Sequence, residues 1–524
     1  MKNLPISTQS FEILRQTDCV YVDKTKHIFE LIKNGRVYFL SRPRRFGKSL
    51  LISTFEELFK GNKRLFEGLY IYDKWVWSEK YPIIHLDFAD LAYNTPEELK
   101  LTLNNFLNKT AAANSASLQD DMPVSVKFSE LIEKLYSKTG QRVVVLVDEY
   151  DKPITDNLSN KEVLSSNKTI LHDFYQVIKA KDKYIKFVFL TGVSKFSGVS
   201  IFSGLNNLMD ITLSDKFAGI CGYTQEELEE NFKEYIYLLS EKLKRSKEDV
   251  LKEIRRWYNG YSWDGMTTVY NPFSTLLLFA DNIFTNYWFR TGTPTFLIEL
   301  LKSRNQLRGI FEPIVVENVA FDGYDEENID TVSLLFQTGY LTIKQRKLNF
   351  GSPEYTLAAA NFEVKDSLVK YLLNAYSNFP LNALRDLQTN IHNQIQTMDA
   401  KNLSKSIYQL FVNIPYTLHI SKEAYWHSLF LATMNLLGFV FKGDVLTNIG
   451  RIDAVWEQPD FAVICEIKYD EKKELEKMLE TAFAQIDDRR YYETYLYSGR
   501  KIILLAVAFN GKAVKCKFKE LDKK

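Results

Sequence analysis

Four short, almost wholly apolar runs punctuate the first 220 residues: Val37-Tyr38-Phe39-Leu40, Ile83-Ile84-His85-Leu86, Val143 to Val147, and Phe187 to Leu190. Amphipathic stretches such as Thr95 to Leu107 and Asp173 to Ala180 separate them. Strands this apolar need cover on both faces, and alternation with helices provides it in a mostly parallel sheet. The expected class is therefore α/β.

At about 150 residues per domain, a chain of 524 residues suggests about three segments. The pattern changes near residue 222, where Thr224 offers a helix N-cap and Glu227, three residues on, completes a capping box. Long helical stretches are expected from there to about residue 305. Leu334 to Ile343 reads as a short helix passing through Gly339 into a strand, and Arg346 to Leu357 completes a hairpin. Helix followed by hairpin is compatible with a winged helix, and residues 363–412 read as helical again. The last segment carries a helix at Glu423 to Leu437 and strands at Val440 to Leu446, Arg451 to Val455 and Phe461 to Ile467. A polar helix, Lys472 to Tyr495, and a buried strand, Lys501 to Phe509, complete a second small α/β domain. The expected boundaries are 1–221, 222–412 and 413–524.

Composition excludes several classes. Charged residues are 25% and hydrophobic ones 45%, so long disorder is not expected. Lys and Arg total 67 against 66 for Asp and Glu, so any nucleic-acid surface must be local. The four cysteines, Cys19, Cys221, Cys465 and Cys516, form no CxxC pair, which argues against a zinc ribbon or disulfide scaffold. With no apolar leader core and no run of 18 apolar residues, the expectation is a cytoplasmic protein without membrane attachment.

The sharpest local signal is Val37 to Leu51: a strand, the basic loop Ser41-Arg42-Pro43-Arg44-Arg45-Phe46, then Gly47-Lys48-Ser49 opening a helix. A phosphate-binding loop curls backbone N–H groups round an anion at a helix N-terminus. Lys48 would reach the β- and γ-phosphates, Ser49 would meet Mg²⁺, and Gly47 would allow close backbone approach. Leu50 follows in the same first turn. Arg42 occupies the place of the first glycine in GxxxxGK[ST], and Arg42, Arg44 and Arg45 with Lys48 supply compensating charge. The bland alternative, a basic helix start, is disfavoured by the helix dipole unless an anion is present.

A second strand, Val143 to Val147, ends in Asp148-Glu149-Tyr150-Asp151. Asp148 would hold Mg²⁺ and Glu149 would act as general base, with Asp151 behind them. A third strand ends in Thr191-Gly192-Val193-Ser194, where Thr191 or Ser194 could sense the γ-phosphate; an ordinary strand end is the alternative. These motifs, with YVDKT (Tyr21 to Thr25), FLTGVSKFSG (Phe189 to Gly198), WYNGYSW (Trp257 to Trp263), YNPFS (Tyr270 to Ser274) and TGTPTFL (Thr291 to Leu297), resemble the bacterial AAA-ATPase-like family over roughly residues 5 to 300. The resemblance implies a P-loop ATPase domain that binds ATP, and the RPRRFGKS loop is itself the family's pattern. It identifies no arginine finger: Arg44, Arg45, Arg255, Arg256 and Arg290 all remain open, as does one from a neighbouring subunit in a homo-oligomer.

The C-terminal segment carries Arg451-Ile452-Asp453-Ala454-Val455 and then Cys465-Glu466-Ile467-Lys468. Side chains alternate along a strand, so Glu466 and Lys468 share a face, and a hairpin would bring Asp453 beside them. Two carboxylates make a hard-oxygen site for Mg²⁺ or Mn²⁺. A lysine beside it can position water or stabilise developing phosphorane charge. Glu423 is a further metal-side carboxylate and Gln485 a partner from the following helix; a surface ion pair between Glu466 and Lys468 is the alternative. His427, one turn from Glu423, is a supporting residue or an ordinary helical histidine. The set resembles the PD-(D/E)XK nuclease superfamily over about residues 415 to 515, with isoleucine where the motif has proline. The basic terminus Gly511 to Lys524 would track phosphates or guard an edge strand.

The expected function is ATP binding and hydrolysis joined to metal-dependent cleavage of nucleic acid, DNA foremost. The alternative is an ATP-dependent switch whose nuclease-like domain binds nucleic acid or a partner without cleaving.

Overall fold

The structure is a computed structural model. It describes residues 1–158, 160–195, 202, 204–288, 313–317, 321, 330–349, 351–368, 381–411, 426–427, 430–431, 433–434, 439, 441–446, 451–496, 498–511 and 513–521. The described residues up to Trp288 and from 313 to Val364 form one compact unit, and those from Lys365 on form a second.

The first unit is built on a parallel sheet of β1 (Val37–Ser41), β2 (Ile83–Asp87), β3 (Val143–Asp148), β4 (Ile185–Gly192) and β5 (Met209–Asp210) in the order β2-β3-β4-β1-β5. The four apolar runs are β1 to β4: β1, β2 and β3 each gain one residue at the C-terminal end (Ser41, Asp87 and Asp148), and β4 is extended by two residues at each end. Val143 to Val147 are each at most 1% exposed, as strands covered by helices on both faces require. Each such side chain contributes about 1.5–3 kcal/mol by burial. The covering helices are Lys48–Phe59, Pro96–Ala113, Val124–Thr139 and Lys161–Ala180. The second of these starts where Thr95 accepts from the Glu98 N–H and Pro96 takes the first helical position.

Beyond the sheet, the expected capping box forms: Thr224 and Glu227 satisfy each other's backbone N–H groups. Helices Gln225–Asn231, Lys233–Leu243, Lys247–Tyr258 and Pro272–Asp281 follow. They pack Leu228, Phe232, Ile236, Val250, Ile254 and Tyr258 against Val20 and Val22 of the N-terminal segment. Lys24 fastens that segment by an ion pair to Glu227 at 2.6 Å. The short helix Thr331–Gln337 then leads through Gly339 into β7 (Leu341–Asn349), which turns back into β8 (Ser352–Ala359); β6 (Ile314–Glu317) pairs on the far side of β8.

The second unit holds helices Leu381–Gln396 and Ala400–Phe411 and a mixed sheet. Its strands are β9 (Phe441–Leu446), β10 (Arg451–Glu457), β11 (Phe461–Tyr469), β12 (Lys501–Phe509) and β13 (Val514–Glu520), in the order β13-β12-β11-β10-β9. Only β11 and β12 run parallel, and the helix Leu475–Asp488 connects them. That helix is shorter than the expected Lys472 to Tyr495. At its start Asp470 ties the Lys472 N–H into a turn at 2.9 Å, and at its end Arg490 is left-handed with φ 44. Within the basic terminus, Val514–Glu520 is the edge strand β13. Its Lys515 and Lys517 pair with Glu476 at 2.5 and 3.2 Å, and Lys519 pairs with Asp487 at 2.9 Å. These lysines therefore sit on the overlying helix's own carboxylates. No helix among the described residues is long and apolar enough to cross a membrane, and all four cysteines are free and buried.

Candidate nucleotide and phosphodiester sites

Strand β4 lies between β1 and β3, so its C-terminal end separates the phosphate loop from the acidic strand end. Leu40 pairs with Thr191, and Asp87 pairs with Asp148. Asp148 is buried, and its Oδ1 accepts from the Thr191 hydroxyl and, at 3.0 Å, from the Glu149 N–H. Of the two small polar residues expected here, Thr191 therefore touches the carboxylate directly. The Ser194 N–H instead donates to Asp151 at 2.7 Å. Asp151 is buried and also receives the Val193 N–H at 3.1 Å; burial raises its carboxyl to about 6. It holds the turn after β4. Glu149 has φ 52 and meets the Lys152 ammonium at 3.2 Å.

The loop itself curls through two left-handed residues, Arg45 (φ 69) and Gly47 (φ 88). A side chain at Gly47 would meet no atom within 4 Å, so its requirement is conformational and the space beside it is open. The helix Lys48–Phe59 begins with no side-chain cap and no acidic residue in its first turn, which contains Ser49 and Leu50, both half-buried. Lys48 is buried, and its ammonium donates to the Arg42 and Pro43 carbonyls at 3.0 and 3.1 Å. Burial lowers its pKa, against the pull of Asp148, Asp151 and Glu149. A buried cation held by loop carbonyls at an uncapped helix start fits a phosphate group.

Arg42 departs from expectation. It is 0% exposed and gives its guanidinium to the carbonyls of Ser41, Thr212 and Phe217 at 2.8, 2.9 and 3.4 Å, stacked 3.9 Å over Trp263. It does not add charge for an anion; it anchors the loop in the core, and burial lowers its pKa to about 10. Arg44 and Arg45 are exposed, with Arg45 over the Phe273 ring at 4.9 Å. Among the other finger candidates, Arg255 bonds Gln225 at 3.1 Å and Arg256 pairs with Glu253 at 3.0 Å; Arg290 and the TGTPTFL segment lie outside the described residues. Asp87 was not anticipated. Its place beside Asp148 is visible only in the register, and burial with the charges of Asp148 and Glu149 raises its pKa.

In the second unit, Ala454 pairs with Cys465 and Val455 with Ile464. The paired stretch ends at Ala454 and Cys465, and Asp453 and Glu466 are the next residue on each strand, each two residues from the Val455–Ile464 pair. Alternation then places Asp453, Glu466 and Lys468 on one face. Asp453 Oδ2 accepts the Ile467 N–H at 2.8 Å, and Lys468 Nζ donates to Glu466 Oε1 at 2.9 Å. Glu466 is 0% exposed. On β12 the residues in register with Glu466 and Lys468 are Ala506 and Ala508, against which Met478, Leu479 and Ala482 of the overlying helix pack. Gln485 is one turn past Ala482, and its amide donates to Tyr491 Oη at 3.4 Å. His427 Nε2 lies 2.7 Å from the Asp453 carbonyl, which can only accept, so that nitrogen carries the proton. Glu423 lies outside the described residues. No cluster of three or more His, Cys, Asp or Glu suited to a metal occurs among the described residues. The donors present are thus two carboxylates on adjacent strands, a hard-oxygen pair of the kind Mg²⁺ or Mn²⁺ takes.

Residues 5–202 match the family model described as predicted AAA-ATPase, and residues 421–519 match that of the PD-(D/E)XK nuclease superfamily. An uncharacterized protein in the vnfD 5′ region of Azotobacter chroococcum is 38% identical over 517 residues, spanning 97% of this chain and 96% of that protein. The chain belongs to this AAA-ATPase-like family with a C-terminal PD-(D/E)XK domain. Two solved structures are distant likenesses at 12% identity. The Aeropyrum pernix ORC2 protein (ADPNP–ADP complexes) has a TM-score of 0.26 over 71% of this chain and 93% of that one. Cdc6p from Pyrobaculum aerophilum has a TM-score of 0.23 over 69% and 92%. The AAA-ATPase-like match stops at residue 202, yet Trp263 and Thr212, which hold Arg42, lie beyond it.

Proposed function

We propose that this AAA-ATPase-like protein binds and hydrolyses ATP at the loop before helix Lys48–Phe59 and cleaves nucleic-acid phosphodiesters, DNA first, at Asp453, Glu466 and Lys468. The observation that supports the second half is that Asp453 Oδ2 accepts the Ile467 N–H, between Glu466 and Lys468, while Lys468 donates to Glu466. Asp453 and Glu466 are the residues that would hold Mg²⁺ or Mn²⁺, which when bound supplies Lewis-acid polarisation of the phosphate. Lys468 would orient a water or stabilise charge gathering on the phosphate oxygens. Helix Leu475–Asp488 closes the face on one side.

The test is a cleavage assay on labelled DNA and RNA with Mg²⁺ or Mn²⁺, with and without ATP. Cleavage that depends on the metal supports the nuclease reading. No cleavage of any substrate by a chain that binds ATP would favour a nucleotide-driven binding switch. Dependence of cleavage on ATP, lost in Lys48→Ala, would show that the two sites are coupled; equal cleavage by that variant would end the coupling idea.

In the first unit, Lys48, Gly47, Ser49 and Leu50 would receive the phosphates, and Asp148 would face the Mg²⁺ that accompanies them. Glu149 would take a proton from the attacking water. Replacing it by Gln is expected to leave ATP affinity within about twofold and to slow phosphate release by about 10²–10⁴-fold, the usual weight of a general base. Unchanged release would remove Glu149 from that role.

A further inference from the structure

Building on the reading of the loop as a nucleotide site, we infer that Trp288 and Glu363 are positioning residues which clamp the phosphate loop from beyond the matched ATPase region. Arg42, Pro43, Arg44 and Phe46 are each gripped from later in the chain. Arg42 is stacked on Trp263 and bonded to Thr212 and Phe217. Gly339 abuts Pro43 so closely that a β-carbon there would fall 2.7 Å from the proline ring. The Arg44 carbonyl accepts the Trp288 indole N–H at 3.3 Å. Phe46, 1% exposed, sits edge-on to Tyr261 and Trp263 at 4.7 and 5.5 Å.

Trp288 is held in turn. Its backbone N–H donates to Glu363 Oε1 at 2.7 Å, and the Ser274 hydroxyl donates to the same oxygen at 3.1 Å. Glu363 is 0% exposed. A buried carboxylate needs donors aimed at it, and these two come from one stretch of chain, the helix Pro272–Asp281 and the segment that follows it. The chain from Ser274 through Glu363 and Trp288 to Arg44 therefore links distant parts of one unit to a carbonyl of the loop. This explains how a loop lacking the first glycine keeps a single shape. Arg42 fixes one end internally, and the aromatic segment fixes the middle from outside. With the loop backbone so fixed, its N–H groups are already aimed before a nucleotide arrives, which saves ordering cost on binding.

The experiment measures Mg·ADP affinity of the full chain by calorimetry for the wild type, Trp288→Phe, Glu363→Leu and Glu363→Gln. Phenylalanine keeps one six-membered ring but removes the pyrrole ring with its N–H, so affinity is expected to fall by at least about fivefold, the size of one net hydrogen bond. Glu363→Leu is expected to lose at least that much. Glu363→Gln retains an acceptor for both donors and is expected to return to within about twofold of wild type, a rescue that loss of general stability would not produce. Folded Trp288→Phe with wild-type affinity overturns the clamp. So does failure of Glu363→Gln to bind better than Glu363→Leu. No binding by the wild type overturns the nucleotide reading and the clamp with it. Should the variants not fold, hydrogen exchange on the wild type replaces them. Mg·ADP is expected to slow exchange in peptides containing Trp288 and Glu363 as well as in the loop, and protection confined to the loop overturns the clamp.

Discussion

Asp453→Asn is expected to abolish metal-dependent cleavage, by about 10³-fold or more, while leaving nucleotide binding and the fold intact. The loss follows from removing one of two charges that would hold the metal, whose contribution to phosphodiester cleavage is several kcal/mol, at about 1.4 kcal/mol per decade. The fold is spared because Asn keeps an oxygen for the Ile467 N–H, the 2.8 Å bond that the carboxylate now accepts. Lys468→Ala should be equally inactive but harder to interpret. It removes the counter-charge set 2.9 Å from a carboxylate that is 0% exposed. Breaking such a pair costs about 3–5 kcal/mol, so this variant is expected to melt at lower temperature as well. Cleavage and melting of both variants, read beside ATP binding, separate chemistry from stability. An Asp453→Asn protein that still cuts would remove the β10–β11 face from the reaction.

Much of this site was open to reading from the chain alone because it is local. Asp453 and Glu466 lie 13 residues apart across one hairpin, and strand alternation fixes their face without any knowledge of the rest of the protein. The same holds for the strand runs of the first unit, whose continuous apolar character follows from burial on both faces. Arg42 shows where local reading ends. Its sequence neighbours suggest a charge aimed at phosphate, but its direction depends on Thr212, Phe217 and Trp263, about 170 to 220 residues away. Asp87 was missed for a related reason. Its run Ile83 to Asp87 has the same apolar-then-acidic form as Val143 to Asp148, yet only the parallel register places the two acids side by side. The lysines of β13 carried two readings, and the choice turned on Glu476 and Asp487, which a list of basic residues does not reveal.

Lys48→Met is expected to lower nucleotide affinity by about 10–100-fold without destabilising the nucleotide-free protein. The affinity term is the loss of a charge-assisted contact to phosphate, about 1.5–3 kcal/mol. The stability term has the opposite sign. Burial holds the folded-state pKa of Lys48 below its ordinary value, although Asp148, Asp151 and Glu149 oppose the shift. The unfolded chain therefore binds this proton more tightly, so the buried ammonium works against folding at neutral pH. That cost is relieved only as pH rises through the folded pKa toward the ordinary lysine value. Methionine fills similar space with no charge to desolvate. Its loss of the bonds to the Arg42 and Pro43 carbonyls offsets part of the gain. Thermal melts with and without Mg·ADP read both terms, because a ligand that binds only the folded state raises stability by RT ln(1 + [L]/Kd). The wild type should gain melting temperature with nucleotide, and the variant should gain little while starting level or higher. A nucleotide-dependent shift preserved in Lys48→Met would mean that phosphate binds elsewhere. A variant that melts lower without nucleotide would make Lys48 a brace for the loop first and a phosphate ligand second.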